Sequence, residues 1–207
     1  MPTESNVTIH GPVGQIDARY CQPSSKNTPL VVICHPHPLY QGTMDNKVVH
    51  TLFKAFSELG CATLRFDFRG VRESEGEYDA GLGETEDAMA VVAWGRQQLA
   101  SSALWMVGFS FGSFVAARTA SLISTQQLLT VAPAVTRFDF NSLDRIECPW
   151  WVIQGEADEV VDPHSVFNWV EQHPPIELTK LPEVGHFFHG QLNTLKSLVK
   201  QHYQDLV

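Results

Sequence analysis

Ser110 stands in the run LWMVGFSFGSFVAA, residues 104–117, with Gly108 and Gly112 two positions away and Phe109 and Phe111 beside it. An apolar strand ending at Phe109 and a helix starting near Phe111 would leave Ser110 on a tight turn. Small residues at 108 and 112 let the two backbones close up and hold the hydroxyl at the carboxyl edge of a sheet, where open α/β folds bind ligands. The plainer reading is a glycine-flanked turn whose serine caps the helix. A serine hydroxyl becomes a nucleophile only when a base takes its proton, and that base needs a carboxylate to orient it.

Both partners are expected downstream. The segment GEADEVVDP, residues 155–163, follows the apolar run WWVIQ and carries four acids. Asp162 suits a helix N-cap before Pro163, and Glu156 and Glu159 suit solvated loop positions, which leaves Asp158 as the orienting acid. In IELTKLPEVGHFFHG, residues 176–190, His186 follows a final strand and Gly185, where a loop can lean over Ser110. His186 is therefore the expected base. His189 is expected at the start of the last helix, and His164, His173 and His202 at helix ends or faces.

Elements must exist to bring 110, 158 and 186 together. Five apolar runs recur, LVVIC at 30, CATLRF at 61, LWMVGF at 104, LLTVA at 128 and WWVIQ at 150. They are continuous rather than alternating, as in parallel strands buried on both faces. Helix-period segments lie between them. Val48, Val49, Leu52, Phe53, Phe56 and Leu59 form a stripe closed by Gly60; further helices are predicted over 84–99 and 111–123, from Pro163 onward, and along the Leu192–Leu206 stripe. This alternation predicts an α/β fold, a doubly wound and mostly parallel sheet with helices on both faces. VTIHGPVGQIDARYC reads as two strands around a Gly-Pro turn, an added antiparallel edge. No repeat or linker marks a boundary, so residues 1–207 are expected to form a single domain. The short stretch between LLTVAPAV and PWWVIQ leaves no room for a large cap.

Composition narrows the partners. Fourteen basic against 23 acidic residues give a net charge of −9, which opposes binding to nucleic acid or anionic lipid. The apolar runs are too short to span a bilayer, and MPTESNV lacks the basic and apolar regions of a signal peptide. A cytoplasmic protein with no membrane association is expected, its cysteines at 21, 34, 61 and 148 reduced.

In the order Ser110, Asp158, His186, the chain resembles the α/β-hydrolase superfamily from about residue 28 to its end. RFDFRGVRESEG, residues 65–76, is similar to that superfamily's D-x-R-G-x-G-x-S loop, with Arg72 where glycine is usual, and only a structural role is expected of it. The stretch HPHPLYQGTMDNKVV, residues 35–49, looks like a small lidless bacterial group related to dienelactone hydrolase. An oxyanion hole takes one backbone N–H from the residue after the nucleophile, here Phe111, and one from the loop after LVVIC. Proline has no N–H, so Pro36 and Pro38 are excluded and His37 and Leu39 remain. Alignment with the superfamily's H-G-x pattern implies His37.

The resemblance implies hydrolysis of ester or thioester bonds in a small-molecule acyl substrate through an acyl-enzyme at Ser110. Tyr40, Phe109, Phe187 and Phe188 are read either as apolar walls of the substrate site, with Tyr40, Phe109 and Phe187 preferred, or as core residues. No cofactor and no metal are called for, since His35 and His37 lack further ligands at matching spacing. Two alternatives share the fold: an acyltransferase using the same triad, and a binding module without chemistry. Oligomeric state is not readable from the chain.

Overall fold

The computed structural model describes residues 3–25, 28–99, 101 and 103–207. In chain order the elements are β1 (Glu4–Gly11), β2 (Gly14–Cys21), β3 (Leu30–Cys34), α1 (Lys47–Glu58), β4 (Ala62–Phe66), α2 (Leu82–Gln98), β5 (Leu104–Phe109), α3 (Phe111–Leu122), β6 (Gln127–Val131), β7 (Trp150–Gly155), α4 (Pro163–Glu171), β8 (Glu177–Leu181) and α5 (Leu192–Tyr203). The eight strands form one sheet in the order β1-β2-β4-β3-β5-β6-β7-β8. The first two pair antiparallel with each other, β2 pairs antiparallel with β4, and the others run parallel. This is the doubly wound, mostly parallel arrangement that the alternating pattern predicts, with the N-terminal hairpin as its antiparallel edge.

Strand β3 shows why the apolar runs do not alternate. All five of its residues are buried; Val31 and Ile33 belong to the core on the α1 side of the sheet, while Val32 and Cys34 belong to the core on the α2 and α3 side. With both faces covered, water never touches the strand and a polar side chain has no place on it.

Helix boundaries follow local chemistry. The Asn46 side chain caps α1 by accepting from the Val48 and Val49 N–H groups, and Gly60, at φ 92°, turns the chain out of it. Asp162 caps α4 ahead of Pro163. Two expectations shift. α5 begins at Leu192, so His189 lies in the preceding turn, and it ends at Tyr203, which leaves Leu206 half exposed beyond it. The β6–β7 connection, residues 132–149, holds one 3₁₀ turn (Phe140–Ser142) and no longer helix.

From β3 the chain proceeds to β4 on one side and later to β5 on the other. The crossover direction thus reverses between β3 and β5, and the crevice outside their carboxyl ends is where such sheets bind ligands. Ser110 follows β5 directly, and His35 follows β3. All four cysteines are free thiols. Among the described residues no helix is long and apolar enough to cross a membrane.

Candidate active site

Ser110 sits at φ 55°, ψ −117°, a conformation that L-residues rarely adopt. The glycines around it explain how the chain accepts this. A Cβ on Gly108 would lie 2.2 Å from the Gly112 carbonyl oxygen, and one on Gly112 would lie 2.2 Å from that of Cys34. No other residue permits so close a crossing of strand and helix. The turn is pinned by the Ser110 N–H, which donates to Val131 O at 2.9 Å, and by Ser113 Oγ, which donates to Gly108 O at 3.0 Å and Val131 O at 3.1 Å. Ser110 does not cap α3 through its side chain, so the plainer reading of this serine does not hold.

His186 Nε2 lies 3.1 Å from Ser110 Oγ, and its Nδ1 lies 2.8 Å from Asp158 Oδ2. Facing a carboxylate, Nδ1 carries the proton and donates it; Nε2 is then free to accept from the serine hydroxyl. Asp158 is buried and well supplied with donors. Its Oδ2 also accepts from Gln154 Nε2 at 3.0 Å, and its Oδ1 accepts from the Val160 and Val161 N–H groups at 2.9 and 2.8 Å. Burial raises this carboxyl's pKa, but the hydrogen bonds from His186, Val161 and Val160 outweigh it and hold Asp158 below its ordinary value.

The acid and histidine loops are clamped to each other. The Glu156 and Ala157 N–H groups donate to Leu181 O and Val184 O at 2.9 and 3.1 Å, and the His186 N–H donates to Glu159 Oε2 at 3.1 Å. Phe109, fully buried, lies beneath the imidazole with ring centroids 5.0 Å apart. That corrects its expected role as a substrate wall, for it supports His186 from the core and offers no surface to a cleft. Tyr40 (75% exposed), Leu39 (67%) and Phe187 (39%) do offer apolar surface. A depression of about 290 Å³ borders Phe187 and His189, lined also by Gln41, Thr43, Asp45, Asn46 and Lys47; Ser110 is outside it.

The loop after β3 is brought to Ser110 by Gly112, whose close approach to Cys34 and His35 carbonyls sets the first turn of α3 against residues 34–37. Phe111 is the first residue of α3, so its N–H has no intrahelical acceptor. His37 O accepts from the N–H groups of Tyr40 (3.1 Å) and Gly42 (3.0 Å), which fold the loop back on itself.

His35 is not placed as a ligand. It is fully buried, with Nδ1 2.6 Å from Pro36 O and Nε2 accepting from the Phe68 N–H at 3.0 Å, and burial pushes its pKa down to about 3. Both ring nitrogens are committed to backbone. No group of three or more His, Cys, Asp or Glu side chains among the described residues is placed to hold a metal ion. Arg72, at φ 49°, braces the neighbouring loops through Asp67 Oδ2 at 2.6 Å and Asp45 Oδ2 at 2.5 Å, while Asp67 Oδ1 accepts from the Met44 N–H at 2.7 Å.

Glu159, expected as a solvated loop charge, is exposed but also accepts from the His186 N–H, and the sequence analysis gives no role to Gln154 or Ser113. Gln154 had a signal, a lone amide ending the otherwise apolar WWVIQ, since a buried polar group needs a partner. Glu159 and Ser113 had none.

The sheet, the strained turn and the hydrogen-bonded Ser110, His186 and Asp158 side chains define a protein of the α/β-hydrolase class. The sequence profile of the X-Pro dipeptidyl-peptidase (S15) family matches residues 14–143, and the chain belongs to that family. It is 33% identical over 193 residues to the uncharacterized protein RP471 of Rickettsia prowazekii (strain Madrid E), covering 88% of this chain and 81% of that one. Two solved structures are similar over nearly the whole chain. One is an α/β serine hydrolase without a lid from Xanthomonas campestris, with 37% identity, TM-score 0.93, and 100% and 97% of the two chains covered. The other is an α/β serine hydrolase homologue from Coxiella burnetii, with 42% identity, TM-score 0.91 and 98% of each chain covered. The chain is thus a hydrolase by fold and family.

Proposed function

We propose that this hydrolase cleaves esters or thioesters of small apolar acyl groups through an acyl-enzyme at Ser110. The observation that carries the reading is the continuous chain of contacts from Ser110 Oγ to His186 at 3.1 Å and from His186 to Asp158 at 2.8 Å. Ser110 gives its proton to His186 Nε2 as Oγ attacks the acyl carbon. The carbonyl electrons move onto oxygen, and the His37 and Phe111 N–H groups stabilise that charge. As the intermediate collapses, the alcohol or thiol leaves with the proton from His186. Water then attacks the acyl carbon, His186 taking its proton; the bond from that carbon to Ser110 Oγ breaks, His186 returns the proton to Oγ, and the acid is released. Asp158 keeps Nδ1–H in place and stabilises the imidazolium.

The exposed apolar surfaces of Leu39, Tyr40 and Phe187 support an apolar acyl group. Four free thiols support a reducing, cytoplasmic setting, and the net charge of −9 supports a small-molecule rather than a nucleic-acid partner.

Labelling with a fluorophosphonate, followed by turnover of p-nitrophenyl esters of increasing acyl length, tests the reading. Labelling at Ser110 and turnover of short esters are expected; folded protein that takes up no label overturns it. The family description favours a second reading, cleavage after an X-Pro dipeptide. Faster turnover of a Gly-Pro p-nitroanilide than of any ester would select it. Added alcohol or thiol separates hydrolysis from acyl transfer by the product formed.

A further inference from the structure

We propose that Tyr78 is a positioning residue for the oxyanion hole, its hydroxyl fixing the His37 ring and thereby the His37 backbone N–H beside that of Phe111. The inference rests on the serine-hydrolase reading above and assigns a task to the loop after β4.

His37 is held at both ring nitrogens. Nδ1 accepts from the Leu39 N–H at 3.2 Å, so in the neutral ring the proton is on Nε2, and Nε2 is 3.1 Å from the Tyr78 hydroxyl. Burial, with the Arg137 charge adding to it, keeps the His37 pKa below its ordinary value and favours that neutral ring. The ring also packs 4.9 Å from the ring of Phe111 and 4.9 Å from that of Tyr78, while Tyr78 and Phe111 are 5.8 Å apart. Three aromatic rings therefore join the two residues whose N–H groups face the developing charge. Rotation of the His37 ring would break its bond with the Leu39 N–H, the contact that ties the ring to the loop carrying the His37 N–H.

Tyr78 can act as a fixed point because its own loop is rigid. The Asp79 and Gly81 N–H groups donate to the two oxygens of Glu84 at 2.9 and 2.7 Å, which anchors the residues that follow it. Upstream, Arg69 makes a two-pronged contact with buried Asp87, and the Ser74 hydroxyl donates to Asp67 O at 2.8 Å. The hydroxyl of Tyr78 is thus delivered to His37 by a segment pinned to α2 and β4.

The test is a double-mutant cycle of Tyr78→Phe and His37→Ala, read as kcat and KM on a short p-nitrophenyl ester and as inhibition by an alkylboronic acid, whose serine adduct is a tetrahedral, negatively charged boronate that places an oxygen where the oxyanion forms. Phenylalanine keeps the ring and loses only the hydroxyl. Tyr78→Phe is expected to lower kcat roughly ten-fold, as one hydrogen bond felt in the transition state would, with KM within about two-fold and boronate affinity reduced in step with kcat. In the His37→Ala background the same change is expected to do nothing further. Counting active sites with fluorophosphonate, and normalising rates to them, keeps the comparison valid if a variant folds less well. An unchanged kcat, a change confined to KM, or an undiminished effect in the His37→Ala background overturns the proposal while Ser110 still labels. Failure of the wild-type protein to label instead removes the serine reading and this inference with it.

Discussion

Gly112 and Cys34 meet backbone to backbone: a Cβ on Gly112 would stand 2.2 Å from the Cys34 carbonyl oxygen and 2.5 Å from that of His35. Helix α3 therefore begins pressed against the end of β3, and this contact, rather than any side chain, sets the Phe111 N–H beside the loop of His37. In an ordinary helix, replacing glycine with alanine stabilises by up to about 1 kcal/mol. Here the sign reverses. Gly112→Ala is expected to lose about 1–3 kcal/mol in urea unfolding, as overpacking does, and to lose most ester turnover. An alanine variant as stable and active as the parent would show that α3 is free to slide.

Ser110→Ala is expected to abolish turnover, by about 10⁴-fold or more, with no loss of fold. Ser110→Gly is expected to be equally inactive yet more stable, by about 1 kcal/mol, because glycine relieves the φ of 55°. Melting temperatures and rates of the two variants check both points. Activity above about a tenth of the parent's in Ser110→Ala would move the nucleophile elsewhere.

Asp158→Asn and Asp162→Asn separate an orienting acid from a cap. The first replaces a carboxylate that accepts from His186, Gln154, Val160 and Val161, and turnover is expected to fall by roughly 10³–10⁴. The second weakens a cap that accepts from the His164 and Ser165 N–H groups, and should cost a little thermal stability and almost no rate. The reverse ranking in activity would reassign the acid.

Glu159 holds the His186 backbone through its N–H. Glu159→Ala is expected to reduce kcat by about three- to ten-fold, the scale of one hydrogen bond, whereas Glu159→Gln keeps an acceptor and most of the rate. Equal rates in parent and alanine variant would mean that the histidine loop is held by its other contacts alone.

His35 links stability to pH. Burial takes its pKa from about 6.5 in the unfolded chain to about 3 in the fold. Between those values the unfolded chain binds a proton that the folded protein does not, so stability falls as pH falls, at no more than roughly 1.4 kcal/mol per pH unit. Unfolding free energies of the parent and of His35→Asn, compared between about pH 5 and pH 6.5, should show the smaller slope in the variant. Identical slopes would mean that His35 takes up its proton while folded.

What could be read from the sequence was whatever local patterning expresses. Buried strands such as LVVIC announce themselves because both faces exclude water, and Ser110, Asp158 and His186 could be singled out because Ser110 follows its strand directly and the other two lie in the short loops after theirs. The extent of α5 was overestimated because the leucine spacing continues past Tyr203 to Leu206, where no partner surface covers it. Phe109 was read as a wall because adjacency to a nucleophile does not reveal which sheet face a side chain takes; the pleat sends it down into the core under His186. Tyr78 meets His37 across 41 residues and Glu159 meets His186 across 27, contacts that no periodicity records.

The four strands whose ends supply the site, β3, β5, β7 and β8, are held at intervals of about 4.8 Å per neighbouring strand by the sheet's own hydrogen bonding. Strand spacing therefore sets the distances within the site, while the β6–β7 connection adds Phe138, which packs 5.0 Å from the Phe111 ring and 6.0 Å from the His37 ring. Its tip, at Asp144 and Arg145, faces solvent. An insertion at that tip would leave the spacing of Ser110, His186 and Asp158 untouched, because the strands and not the connection set it; this architecture is open to grafting where a tightly interlocked one would not be.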